Sequence, residues 1–333
     1  MPVLRLPKLP QLLDRKIYKT GQTRGADDDV IYQNRVSRSS TVLIPYRCWD
    51  LCANPQDGGD GYESGFIVLL SPLEYFGKPN ITEELAAKGL ALGTNALVFY
   101  ETREAWQAHN PDTLKWKPAK RRTNPLGGRY VARIPATTAT ENGGRIIRGF
   151  DVTSNKGAGI RVYEYASSAT TAECRLQLEA LFWLCADSET VACSNGMTPE
   201  DAASRRAAIF AQGKESRLLD TTRLVKARIL NAGGKTICPL CLEELSGQGF
   251  FNRMAQAEGR EVTDLTVTQL NLFHIAELRF GVLNHRPYNV GWGHHHCNVV
   301  VKDSGILETL EWMRQVLSRN LQAGHLPTVN KAS

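Results

Sequence analysis

Residues 288–303 read "YNVGWGHHHCNVVVKD". Three of the chain's seven histidines, His294, His295 and His296, stand here in a row, followed by Cys297 and Asn298. Tandem histidines also arise as tags and loop filler, but tags sit at termini and this run does not. Its surroundings decide its meaning. His294-x-x-Cys297 is one half-site at metal-ligand spacing. Working outward, "TICPLCLEEL" supplies a second, Cys238-x-x-Cys241. Two thiolates at that spacing hold one Zn²⁺ from a tight turn. A single C-x-x-C fits a redox pair or inert thiols equally well. Two half-sites of identical spacing, about fifty residues apart, fit a closed Cys-Cys-His-Cys tetrahedron, which is a structural zinc site rather than a catalytic one. His294 matches the spacing, and His295 or His296 could replace it.

Between the half-sites, "LNLFHIAEL" carries His274, Asn289 follows fifteen residues later, and Asn298 comes directly after Cys297. Taken singly, His274 in an apolar segment reads as a core histidine, and the two asparagines read as turn or cap residues. Their common register changes that reading. The ordered set "CPLC", "FHIAEL", "YNVGW", "HHHCN" resembles the HNH nuclease family of the ββα-metal fold, over residues 235–320. The resemblance implies three catalytic roles. His274 is the general base that activates water for attack on a phosphodiester, work that suits a neutral imidazole. Asn289 orients that imidazole. Asn298 helps to bind one divalent cation, Mg²⁺ or similar, which polarises the scissile phosphate. The chain departs from the family at Phe273, where many members place a metal-ligating Asp or His. The resemblance then leaves Glu277, Asn271, Asp303 or a spare histidine of the triplet as candidates for the missing ligand.

The remaining 215 or so residues bound the setting. At 333 residues the chain is long enough for about two domains at ~150 residues each. A composition of 42% hydrophobic and 22% charged residues is that of an ordinary globular chain. No stretch approaches the roughly 18 apolar residues of a membrane span. "MPVLRLPKLPQLLDRKIYK" lacks the continuous apolar core and cleavage site of a signal peptide, so the expectation is a cytoplasmic protein without a membrane partner. A net charge of +6 permits a polyanionic partner without requiring one. The charge is concentrated at "LKWKPAKRR", where Lys115, Lys117, Lys120, Arg121 and Arg122 surround Trp116. Cations neutralise phosphates, and an aromatic ring stacks or wedges; a solvated loop is the plain alternative. Arg279, Arg286 and Lys302 are further candidates for flanking phosphates. Among the eight cysteines, Cys174 and Cys185 sit in apolar helical sequence, and Cys48 and Cys52 read as buried thiols rather than a disulfide framework.

Three regions are expected. Residues 1–40 read as an irregular arm. Residues 41–218 read as a DNA-recognition and dimerisation domain, and residues 219–325 as the nuclease module. In the second region "STVLIPYRCW", "GFIVLLSPLEYF", "NALVFYET", "GRYVARIPA", "GGRIIRGFDVT" and "GIRVYEYAS" are strand candidates separated by glycine-rich turns. They suggest one antiparallel sheet. From about residue 170 the texture is helical. Thr198 caps a helix that starts at Pro199, and "TRLVKARILNAGG" reads as a helix stopped at Gly233–Gly234. In the last helix Ile306, Leu310, Met313 and Leu317 form a core-packing stripe. The fold class is therefore α+β: an N-terminal mixed α/β recognition domain followed by a C-terminal zinc-stabilised ββα-metal (HNH) nuclease module.

A large α+β domain fused to one such module, with no G-x-x-x-x-G-K-[ST] motif for an ATPase, looks like a type II restriction endonuclease. The expected partner is double-stranded DNA, read by major-groove contacts. A homodimer would match a two-fold target, with the helices at 174–187 and 199–217 as dimer elements. A modification-dependent HNH restriction endonuclease is the close variant. A zinc-stabilised DNA-binding protein without cleavage is the alternative from another class.

Overall fold

The computed structural model describes residues 6–18, 42–52, 65–119, 127–132, 148, 160–161, 165–253, 268–276, 283–301 and 304–325. The chain forms two compact units: Met1–Tyr32 with Ala169–Leu278 and Asn284–Ser333, and Gln33–Ser168 with Arg279–Leu283. The split thus falls at residue 168/169, whereas the regions expected above meet at 218/219. The helices after 168 close one core with the C-terminal hairpin, which is why they belong to its unit.

The Gln33–Ser168 unit is built on a five-stranded sheet: β1 (Val42–Pro45), β2 (Phe66–Leu70), β3 (Ala96–Tyr100), β4 (Tyr130–Ala132) and β5 (Ile160–Arg161), in the order β4-β3-β2-β1-β5. Every pairing is parallel, which corrects the antiparallel sheet expected above. The reason is in the connections. After β1 comes α2 (Trp49–Cys52), after β2 come α3 (Pro72–Phe76) and α4 (Ile81–Ala87), and after β3 comes α5 (Arg103–Ala108). The helices after β2 and after β3 return the chain, so the next strand enters in the same direction. The strands are also buried on both faces. Leu43, Ile67, Leu69, Leu97 and Phe99 join one cluster, while Val42, Ile44, Val68, Leu70 and Ala96 join another. Continuous apolar runs such as "FIVLL" are the mark of that two-sided burial. "GGRIIRGFDVT" lies largely outside the described residues.

The other unit opens with α1 (Gln11–Tyr18), which corrects part of the irregular arm expected over 1–40. Leu9, Leu13 and Ile17 recur every fourth residue and are all buried, so this segment is an amphipathic helix on the core. Residues 19–40 lie outside the described ones. Helix α6 (Ser168–Trp183) runs through the centre. Thr171, Cys174, Gln177, Leu178, Glu179, Leu181 and Phe182 are all buried. Around it stand α7 (Ser188–Ser194), α8 (Pro199–Glu215) and α9 (Thr221–Lys226). Thr198 caps α8 as expected, its side chain accepting from the Asp201 amide at 3.1 Å. The expected helix over 222–234 stops early, at Lys226. Arg228 takes a left-handed φ of 62°, and the Ile229 amide reaches back to the Leu224 carbonyl. That is a Schellman ending with arginine where glycine is usual, so composition did not reveal it.

An ion pair fastens this unit internally. Glu179 is fully buried and takes two bonds from Arg205, at 2.6 and 2.9 Å. It also accepts from Tyr18 and from the Trp183 indole. The carboxylate thereby joins α1, α6 and α8. Removing one member of a buried pair leaves an uncompensated charge and costs about 3–5 kcal/mol. Glu179→Ala should lose that much in urea unfolding; a variant as stable as the parent would refute the pairing.

The C-terminal part holds β6 (Leu270–His274), β7 (Val290–His294), α10 (His295–Val301) and α11 (Ile306–Gln322). Strands β6 and β7 pair antiparallel, with Leu270 opposite His294 and His274 opposite Val290. Helix α10 follows β7 without a break and packs on both strands. Along α11, Ile306 is buried and Leu310 and Met313 are half-buried, but Leu317 is exposed, so the core stripe covers only the first half of that helix. Among the described residues no helix is long and apolar enough to cross a membrane.

Candidate metal and catalytic centre

The first half-site sits in a tight hairpin that follows α9. Asn231 and Lys235 close one turn, Leu230 bridges Thr236, and Ile237 bridges Glu244. At its tip the Cys238 amide donates to the Glu243 carbonyl at 2.9 Å, and the Leu242 amide donates to the Cys238 carbonyl at 2.9 Å. Leu242 adopts φ 65°, which lets the chain reverse directly after Cys241. Arg228 reinforces the tip, donating from Nε to the Pro239 carbonyl at 2.8 Å. Just beyond the hairpin, Asp187 accepts from the Gly247 amide at 2.6 Å and from Ser246. These bonds hold its carboxyl below the ordinary carboxylate value although partial burial acts the other way.

The second half-site lies where β7 becomes α10. Trp292 anchors this strand: it is 1% exposed, and its indole donates to the Leu178 carbonyl at 2.8 Å. Gly293 has a steric reason. A Cβ there would come within 2.5 Å of the Phe273 ring across the hairpin. With β7 fixed in this way, Cys238, Cys241, His294 and Cys297 meet, and their donor atoms all lie within 4.8 Å of one another. Three thiols and one imidazole in that volume are a donor set suited to zinc. Burial raises the Cys297 thiol above the ordinary value, and the Cys238 and Cys241 thiols add to it. Burial likewise raises Cys241, outweighing the Glu243 amide. A metal ion must displace those protons on binding.

The neighbouring histidines have other partners. The Lys16 ammonium, buried, donates to the Leu270 carbonyl at 2.7 Å and to Asn271 Oδ1 at 3.2 Å. That contact fixes the orientation of the Asn271 amide, so its Nδ2 faces His295 Nδ1 at 2.7 Å. Nδ2 can only donate, hence His295 Nδ1 accepts and the proton of the neutral ring sits on Nε2. His295 is thus unsuited as a metal ligand. Asn271, beside an ammonium, is unsuited to hold a cation. His296 is exposed. Of the candidates for the missing ligand, Glu277 and Asp303 lie outside the described residues.

His274 ends β6 and is half-buried. The residue before it, Phe273, is fully buried and faces the core, so this position is shut off from any ion. His274 Nε2 lies 3.1 Å from Nδ1 of His285. Asn289 is buried. Its Oδ1 accepts from the Ala276 amide at 2.8 Å, and its Nδ2 donates to the Asn284 carbonyl at 2.7 Å. It ties the backbone two residues after His274 to the backbone next to His285. Asn298 is half-buried on α10. Sequence reasoning missed His285, Lys16 and Arg228. Each acts through a fold-dependent contact, and no spacing rule in the chain points to any of them.

Of the basic residues expected on DNA, Lys115, Lys117 and Arg286 are exposed. Trp116, between the two lysines, is not a free wedge: it stacks on Phe76 at 5.5 Å and 22° and meets Tyr75 edge-on. Lys120, Arg121, Arg122, Arg279 and Lys302 lie outside the described residues.

No curated protein matches this chain. A solved chain described as "Crystal structure of a type II restriction endonuclease" aligns at 15% identity and a TM-score of 0.27. That alignment covers 48% of this chain and 55% of the other, so this chain spans about half the length of the structure it matches. The family model for the BstXI restriction endonuclease matches residues 15–295, which takes in the end of α1, the parallel sheet, helices α2 to α9 and both strands of the hairpin. By that match the chain belongs to the BstXI restriction endonuclease family.

Proposed function

We propose that the chain is a type II, sequence-specific DNA endonuclease whose chemistry is of the HNH, ββα-metal kind. The observation that carries this reading is the short run from β6 through β7 into α10. It holds the assigned base on the first strand, one zinc half-site at the junction and Asn298 on the helix. In this reading zinc is structural. Cys238, Cys241, His294 and Cys297 would hold it, and when bound it would pin the hairpin of the first half-site to the start of α10. His274 accepts a proton from water, whose oxygen attacks the phosphorus, and the bond to the leaving deoxyribose oxygen breaks. Asn289 holds the backbone that presents His274. Among the described residues Asn298 is the oxygen donor for a divalent cation such as Mg²⁺, which when bound would polarise the phosphate and neutralise the leaving oxygen. Lys115, Lys117 and Arg286 engage backbone phosphates. The chain acts as a homodimer on double-stranded DNA, one subunit cutting each strand.

The test is cleavage of unmethylated double-stranded DNA by the pure protein with Mg²⁺. Discrete fragments with uniform ends are expected. Cutting confined to modified DNA would replace the reading with a modification-dependent enzyme. Retarded mobility without cutting, in any divalent metal, would leave a zinc-stabilised DNA-binding protein.

A further inference from the structure

Helix α11 carries an apolar stripe that the core of its own unit covers only in part. Ile306 and Thr309 are buried, and Leu310 and Met313 are half-buried against the core. Leu307, Leu317 and Leu321 are 74%, 53% and 41% exposed. With Leu310 and Arg314 these leucines fall at 307, 310, 314, 317 and 321, in alternating steps of three and four. That is the a/d spacing of a coiled-coil seam, sustained for about two heptads. Scattered exposed leucines are ordinary, but leucines in this register form one continuous line. The line lies roughly a third of a turn round the helix from buried Thr309, so the core and a second helix can be covered at once. We propose that this seam docks antiparallel on the same seam of a second copy of the chain, which makes α11 a subunit interface. The inference rests on the homodimer of the functional reading and gives it a surface.

Charge complementarity selects this occupant and its direction. Arg314 stands in the middle of the seam with Glu311 beside it, both exposed, and donates to that carboxylate from Nη2 at 2.7 Å and from Nε at 2.9 Å. A parallel second copy would set arginine against arginine. An antiparallel copy sets opposite charges together. With Leu307 opposite the partner's Leu317, Leu310 meets the partner's Arg314, and each Arg314 lies next to the partner's Glu311. Two arginines and two glutamates then form one neutral group at the centre, with a leucine layer on either side. A single polar residue at an a position fixes register and orientation in this way. The two helix dipoles also run opposite to each other. Each surface is complementary to itself, as a two-fold interface requires. A seam of two heptads is smaller than a standard interface of about 1,600 Å², so a concentration-dependent equilibrium in the micromolar range is expected.

Sedimentation of the full chain over a concentration series up to about 100 μM tests this. The wild type is expected to dimerise. Leu317→Glu should raise the dimer Kd on the order of 100-fold, because burying a leucine is worth roughly tenfold or more and the two-fold axis counts it twice. Its fold should be unchanged, since Leu317 is exposed. The charges give a second test without loss of packing. Glu311→Arg and Arg314→Glu, taken singly, each place like charges across the seam and should be monomeric where the wild type dimerises. Mixed in equal amounts, the two variants should form a heterodimer, because one helix then offers only positive and the other only negative charge at the centre. An ion pair within one helix cannot produce that rescue, nor can docking of another segment of the chain or of a different protein. A wild-type Kd in Leu317→Glu, or a mixture that stays monomeric, would overturn the seam, and a wild-type dimer would then use another surface. A wild type that is monomeric throughout would overturn both the seam and the homodimer. Dimerisation and rescue as expected in a protein that cuts no DNA would support the seam and overturn the nuclease reading.

Discussion

Changing Cys297 to serine is expected to empty the metal site and to unfold the end of the chain around it. The purified protein should carry one zinc per chain by elemental analysis, and the variant none. Structural zinc contributes about 10–16 kcal/mol of apparent folding energy in small zinc-finger peptides. The ledger here differs because Cys238, Leu240 and Cys297 also belong to a large apolar core, with Leu178, Phe182, Phe250 and Trp292. That core should hold α1, α6 and α8 together without zinc. The loss should therefore be local, appearing as new protease cuts between β7 and α11 and a lowered first thermal transition. Serine preserves size and is a much weaker zinc ligand than thiolate, so the effect is one of ligation and not of volume. The pH dependence has a definite sign. Cys241 and Cys297 hold their protons above the ordinary thiol value, so zinc competes with protons at both. Affinity should fall as pH falls, with zinc released toward acid, and binding at neutral pH should liberate protons measurable in weakly buffered solution. A pure protein with no zinc, and the same melting temperature with or without chelator, would end the structural-metal assignment.

How much of this was legible beforehand depends on the range of the interaction. The metal set was readable because each half-site is local: two ligands three residues apart on one turn. The closure of the two halves was readable only because they share that spacing. The cap at Thr198 was readable for the same local reason. The direction of the sheet was not read correctly, although the signal was present. Uniformly apolar "VLIP", "FIVLL" and "ALVFY" indicate burial on both faces, whereas the glycine-rich turns between the strands suggested hairpins. The buried contacts of Lys16, Arg228 and His285 were beyond reach. A lysine in an amphipathic helix reads as solvated, an arginine at a helix end reads as surface, and a histidine before "RPYN" carries no periodicity. Their partners lie 254, 11 and 11 residues away, and only the folded chain makes them neighbours. Phe273 shows the converse. Its identity announced a missing ligand, and the fold supplies the reason: the ring covers Gly293 on the core side of the hairpin.

Replacement of His274 by alanine should abolish most cleavage while leaving the protein folded and bound to DNA. Loss of a general base costs about 10²–10⁴ in rate. The expected drop therefore lies in kcat, with the affinity for DNA and its salt dependence unchanged, because phosphate contacts set those and His274 is not among them. Stability should change little. The packing at this point belongs to Phe273, which is fully buried, and the loop is held through Asn289 by backbone bonds that alanine at 274 does not touch. Asn289→Ala thus makes an informative contrast. It removes one buried and one part-buried hydrogen bond and leaves the Asn284 carbonyl and the Ala276 amide without those partners, at about 1–3 kcal/mol for the unmade buried bond. It should lower stability and activity together, where His274→Ala lowers activity alone. Zinc content separates the two further causes of inactivity, since His274 lies outside the Cys-Cys-His-Cys set and its variant should keep the full equivalent. An alanine variant that cuts at the wild-type rate would remove His274 from the mechanism. The base would then have to be sought among groups on the same hairpin or on α10, and the pairing of His274 with His285 would be a packing feature of the loop.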